Sequence, residues 1–254
     1  MILYSYGGSS VQRKTSANFA TARNASTGTS SGGGLTSGYP AYRATGDNGT
    51  KTVTSGQFGS STTYTWQLQQ SFFLFDSSGI SDNVTDLDWV MKAAYYTVGG
   101  SHNDISVILL KSDTEGGQAS SNWNDFVGHT SGWGASDVTE YSAEYVVDGY
   151  EDTSTNFISN NNKADYVTET IPLNSDAKSD IEDNTTFKFG LVDYDQQYSN
   201  SLDTSYGATA SGGRMMNLLQ VDDSVTSNRP YLEYTTGEAE ESVTYNANFF
   251  GANF

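Results

Sequence analysis

The sequence predicts an all-β chain folded as an antiparallel two-sheet sandwich, jelly-roll-like, with one short helix and extended terminal arms. Three observations carry that expectation. The composition favours strands: 17 Tyr and 12 Phe in 254 residues supply side chains that pack on a half-buried pleated face. About eight to ten runs with strand-like alternation are separated by clusters of Gly, Ser, Asn and Asp. The stretch SNRPYLEYTTGE (227–238) reads as a closing strand entered from a loop, because proline is tolerated at the first residue of a strand and not in the middle of a central one.

Residues 1–40 read as an N-terminal arm or linker. ASTGTSSGGGLTSG (25–38) has almost nothing to bury. Arg13, Lys14 and Arg23 place three of the 12 basic residues in this segment. A flexible leader, and an arm that docks on an acidic or aromatic-lined partner through Arg13 and Lys14, are both open. The sandwich is expected over 41–236. Asn48-Gly49 is a hairpin signal. TTYTWQLQQSFFLFD (62–76) has apolar residues on both faces, Phe73 and Phe75 on one and Phe72 and Leu74 on the other, which predicts a central strand. SSGISDN is a turn. VTDLDWVMKAAYYTV (84–98) places Leu87, Trp89, Met91, Ala93 and Tyr95 at period two; a helix over DWVMKAAYY is the rival, and Gly99-Gly100 closes the run like a strand. NDISVILLKSD (103–113) is a third long strand.

Residues 112–135 form a long polar stretch holding Trp123 and Trp133. TEYSAEYVVDGYED and ADYVTETIPL then read as strands. NSDAKSDIEDN (174–184) breaks the β pattern: Asn174 or Ser175 is an N-cap, and Ala177 and Ile181 stand four apart, so this is the one short helix. TTFKFGLVDYD returns to period two through Phe187, Phe189 and Leu191. GGRMMNLLQVDD is a strand or loop, and PYLEYTT closes the body. Residues 237–254 are a tail with Glu238, Glu240 and Glu241 followed by Phe249, Phe250 and Phe254. Disordered tails usually avoid aromatics, so the three Phe predict docking on a neighbour or folding back onto the sandwich.

The formal net charge of −18 argues against binding nucleic-acid phosphates and suits salty surroundings, where it is screened. The chain has no cysteine, which excludes disulfides and thiolate metal sites. No run is long and apolar enough to span a bilayer as a helix, and the first residues have no signal-peptide pattern. His102 and His129 are the two histidines and do not form a zinc pattern. No phosphate-binding glycine loop and no nucleophile elbow is present. Calcium takes six to eight oxygens, often from loop carboxylates, and VDYDQQYSNSLD (192–203) is where it would bind, on Asp193 and Asp195; a solvated acidic loop is the alternative. Trp123 reads as a plug for the end of the sandwich. Trp133, between Gly132 and Gly134, reads as an exposed contact for a sugar or a protein neighbour.

QSFFLFDSSGISDNVTDLDWVMKAAYY (70–96) resembles the first strand phrase of DNRLRE-like, adhesin-type jelly-roll domains, through Ser71, Phe73, Phe75, Asp76, Ile80 and Val84. Trp123-Asn124 is similar to that family's Trp-Asn segment, Arg229-Pro230-Tyr231-Leu232 to its closing phrase, and IPLNSDAKSDI with FKFGLVDYD to its helix-then-strand segment. The resemblance spans roughly 60–236. It implies a surface module of the kind found on bacteria and in tailed-bacteriophage virions. A single short unit with neither signal peptide nor sorting tail points to the phage particle. The expected function is thus a non-enzymatic structural or decoration protein of the virion, on capsid or tail fibre. It would dock on other virion proteins through its terminal segments and form a homo-oligomer there. A carbohydrate-binding adhesion module contacting host glycans is the alternative, and a polysaccharide-degrading enzyme ranks below both. No cofactor is expected apart from the calcium considered above.

Overall fold

The structure, a computed structural model, describes residues 1–5, 10–28, 30–34, 49–60, 63–80, 83–98, 105–114, 123, 125–129, 137–147, 150–151, 166–201, 212–219 and 225–237. In chain order the elements are β1 (Ile2–Tyr4), β2 (Ser10–Ser16), α1 (Phe19–Arg23), β3 (Ser30–Gly34), β4 (Gly49–Ser60), β5 (Thr63–Asp76), β6 (Val84–Val98), β7 (Ile105–Lys111), β8 (Tyr145–Val147), β9 (Tyr150–Glu151), β10 (Val167–Pro172), α2 (Ser175–Asp183), β11 (Thr186–Asp193), β12 (Gly212–Leu219) and β13 (Tyr231–Thr236). A π turn covers Tyr194–Tyr198.

The chain is an all-β antiparallel sandwich. One layer orders its strands β8-β7-β11-β5-β4, and the other contains β10, β6, β13 and β1. The ladder curls between the layers because the two longest strands change partners along their length. β5 pairs with β4 over residues 63–69 and with β11 over 71–76. β6 pairs with β13 over 84–90 and with β12 over 93–98. The layers meet through Trp89 of β6, whose ring lies 4.9 Å from Phe73 of β5 and 5.2 Å from Phe189 of β11. Phe75, Leu87, Met91, Leu109, Ile171, Phe187 and Leu232 complete this core. Period two is therefore the right reading of 84–98, and the helical alternative fails.

β5 is apolar on both faces for a reason absent from its own sequence. Phe72, with Ile108, Leu110 and Val192 of the neighbouring strands, points away from the main core and is roofed by Phe126, Val138 and Tyr198. Gly190 of β11 makes that roof possible, because a Cβ there would lie 2.2 Å from Cε1 of Phe126. α2 forms where expected: Oδ1 of Asn174 accepts from the backbone N–H groups of Asp176 and Ala177, both at 3.1 Å. Ala177 and Ile181 are buried in the core. β13 also forms as read, with Leu232 facing in; it lies between β6 and β1.

The N-terminal segment corrects the expectation of an arm over 1–40. β1 pairs with β13, Ser5 bridges to Phe75, β2 runs along β5, and β3 pairs with β2. Arg13 and Lys14 are therefore strand residues, paired through their backbones with Gln69 and Leu68, rather than parts of a free arm; their side chains lie outside the described residues. α1 is capped by Asn18 and buries Phe19 and Ala22 against Leu68 and Trp123. Its Arg23 donates through Nε to the carbonyl of Gln197 (2.7 Å) and through a terminal nitrogen to that of Tyr198 (2.9 Å), which ties the helix to the π turn. SVQRKTS has no apolar face to read; its strand character comes from backbone pairing with a strand far along the chain. The boundary at residue 40 and the tail beyond Gly237 lie outside the described residues.

Candidate functional site

At one end of the sandwich a cleft of about 200 Å³ opens among the last residues of β7 and the two that follow (Lys111, Ser112, Asp113), the start of β11 (Thr186, Phe187, Lys188) and the last turn of α2 (Asp180, Asn184), with Val127 and Tyr141. Tyr141 and Phe187 stack at 5.3 Å with planes 17° apart and are both buried. Above these rings, Nζ of Lys111 pairs with Oδ2 of Asp180 at 2.6 Å. The Tyr141 hydroxyl donates to the same oxygen at 2.5 Å. Burial first, and the bond to Asp180 second, push the Tyr141 phenol well above its ordinary pKa. Lys111 keeps 32% of its side chain exposed and Asp180 keeps 20%, so both are reachable from solvent.

Local backbone chemistry positions these groups. Lys111 is the inward-facing last residue of β7, opposite Phe189. Its N–H donates to the carbonyl of Thr139 (2.8 Å), its carbonyl accepts from Val127 (3.0 Å), and Thr139 donates to Val127 (3.3 Å). The segments 125–129 and 137–142 are thereby pinned together as a stem. Gly128 is required in it: its φ is +89°, and a Cβ would approach the carbonyl oxygen of Asp137 to 2.6 Å. His129 ends the first half of the stem, and burial holds its imidazole below the ordinary value. Asp180 reaches the cleft because α2 packs Ala177 and Ile181 inward. Asn184 closes the helix by donating from Nδ2 to the Asp180 carbonyl at 2.7 Å.

Asp193 and Asp195, the predicted calcium ligands, do not line this cleft. Asp193 is fully buried and caps the π turn, its Oδ1 accepting from the N–H of Gln196 at 2.7 Å. Asp195 lies within the turn, where its carbonyl accepts from Ser199 Oγ at 2.8 Å and from the N–H of Ser201 at 2.7 Å. Asp193 is thus a buried cap rather than part of a solvated loop, and among the described residues no three acidic or imidazole side chains converge as a metal cage requires. Trp123 is buried, as a plug would be, but it packs with α1 and Leu68 in a small cluster apart from the main core. Trp133, Phe249, Phe250 and Phe254 lie outside the described residues. The sequence reading named neither Lys111 nor Asp180. Strand end and helix end meet only through the tertiary fold, and no local pattern marks the pair.

Neither a protein-family model nor a curated protein matches the chain.

Proposed function

We propose that this chain is a non-enzymatic structural module of a tailed-phage virion, a decoration or fibre component of capsid or tail, docked on its neighbours by the segment after Gly237. The observation that carries the reading is the state of the last strand. β13 has β6 on one edge and β1 on the other, so both of its edges are occupied within the chain. The chain leaves at a fixed point, where the N–H of Gly237 donates to the carbonyl of Asn83 at 2.9 Å. An aromatic tail leaving a sheet already occupied at that place fits a device for holding a neighbouring subunit. The phrases that resemble adhesin-type jelly-roll domains support the same reading. Apart from Trp123-Asn124, they fall mainly on β5, β6, β10, α2, β11 and β13, strands and a helix that share one core.

The test is deletion of residues 238–254. The truncated protein should unfold within about 0.5 kcal/mol of the full chain, the usual range for changes away from packed features, and should be missing from purified particles. Particles that carry it at normal occupancy would refute docking through the tail. A loss of several kcal/mol would show that the tail folds back on its own sandwich.

A further inference from the structure

We infer that the cleft between β7, β11 and the end of α2 binds a neutral sugar residue, gripping two adjacent hydroxyls between Lys111 and Asp180. The geometry is specific about which atoms remain to do this. Tyr141 and Lys111 both act on Oδ2 of Asp180, which leaves Oδ1 as an acceptor at the cleft. The Lys111 ammonium carries three N–H donors, of which Asp180 takes one. A donor and an acceptor on an ammonium and a carboxylate that are joined through Oδ2 at 2.6 Å match a vicinal diol, in which one hydroxyl accepts from the ammonium and its neighbour donates to the carboxylate.

The surroundings fit the same ligand. The ammonium is already neutralised by Asp180, and the cleft is lined by two cations, Lys111 and Lys188, and two anions, Asp113 and Asp180, so its lining carries no net charge and an anion gains little here. A zwitterion would have to break the ion pair. Ser112, Asn184 and Thr186 add polar lining, and the stacked, buried Tyr141 and Phe187 rings supply the apolar part of it. The volume of about 200 Å³ is below the range of about 300–1,000 Å³ typical of drug-sized ligands. It admits one pyranose ring of a chain rather than an oligosaccharide. The cleft sits at an end of the sandwich, where sites on this architecture concentrate. This inference extends beyond a particle role and is read on the isolated protein, so it stands or falls independently of docking.

The experiment is a titration of the full-length protein, followed by amide chemical shifts, with the methyl glycosides of glucose, galactose and mannose. The fully O-methylated glucoside, which has no hydroxyl donor, serves as control. At least one glycoside should give saturable shifts centred on residues 111–113, 141 and 180–188. Its dissociation constant should be on the order of 1 mM, as the efficiency of small ligands allows. The control should give none. Lys111→Met should weaken binding at least about tenfold. Thr186→Phe, which fills the rim without touching the ion pair, should do the same, and its amide spectrum reports whether the fold is kept. The inference is overturned if no glycoside gives saturable shifts, if the shifts centre elsewhere, or if both variants bind as the parent does.

Discussion

Gly190→Ala tests the account of the roof over β5. A Cβ at this position would lie 2.2 Å from Cε1 and 2.9 Å from Cζ of Phe126, and 3.1 Å from Cε1 of Phe72. Carbon atoms pack best at about 3.5–4.0 Å, so the Phe126 ring must retreat by about 1.3 Å along the closest line. Phe126 is 3% exposed and lies 5.2 Å from Phe72, ring to ring; a retreat of that size separates it from the strands it covers. Two effects compete. Replacing glycine by alanine restricts the unfolded chain and stabilises by about 0.4–1 kcal/mol. Overpacking costs about 1–3 kcal/mol, and complete loss of the ring's packing would cost about 3–5 kcal/mol. The net expectation is a destabilisation of about 2 kcal/mol. The double-mutant cycle is sharper. Phe126→Ala alone should cost about 3–5 kcal/mol. Adding Gly190→Ala to it should cost less than about 0.5 kcal/mol, because the new methyl enters the space the ring has left. Urea unfolding of the four proteins, with m-values compared, gives the coupling directly. Costs additive within about 0.5 kcal/mol, or a single Gly190→Ala variant as stable as the parent, would refute the packing described here.

Two further outcomes follow from the core and from the buried phenols. Phe75→Ala should cost about 3–5 kcal/mol, since Phe75 is fully buried and stacks on Phe189 at 5.6 Å; a loss under about 1 kcal/mol in urea unfolding would mean that its face is wrongly assigned. Tyr141 and Tyr198 both have phenols raised above the ordinary 10.0, by burial first and then by donation to Asp180 and Glu140; the folded state keeps protons that the unfolded chain releases. Their contribution is therefore complete below about pH 10 and is lost as pH rises through the folded-state values, so unfolding midpoints should fall steeply above about pH 10, less so in Tyr141→Phe, and an alkaline limb of equal steepness in that variant would contradict the assignment.

Much of the fold was legible because its signals are local. β5, β6, β7, β10, β11 and β13 each alternate or carry a continuous apolar run, and α2 announces itself by Asn174 and by Ala177 and Ile181 one turn apart. What was illegible depends on residues distant in sequence. β2 contains Gln, Arg, Lys, Ser and Thr with a single Val, and becomes a strand because β5 offers it an edge. α1 has only five residues, too short to stand out by periodicity; its place is set by Trp123 and by the carbonyls at the end of the π turn. Asp193 followed the same logic in reverse. Its neighbours look like a polar loop, yet the π turn draws it into the interior as a cap. The pair at the cleft joins the last residue of a strand to the last turn of a helix, and each residue alone is unremarkable in a chain with 30 acidic residues.

The way this acidic chain holds its carboxylates connects these parts. Twelve basic residues cannot pair 30 acidic ones. The short stretch EYSAEY (140–145) uses phenols instead: Tyr198 donates to Glu140, Tyr141 to Asp180 at 2.5 Å, and Tyr145 to Glu169 at 2.7 Å. One segment thus fastens the π turn, the end of α2 and the edge strand β10. A phenol adds no charge, so these bonds leave the net charge unchanged. They are short-range and partly buried, and salt screens them less than it screens the repulsion among carboxylates spread over the surface. Ions in the medium therefore relieve repulsion among the surface carboxylates while leaving these bonds intact. The same arrangement holds Lys111 against Asp180 at the cleft with donors to spare. In a protein this acidic, that is a position where a hydroxyl can compete with water for a bond.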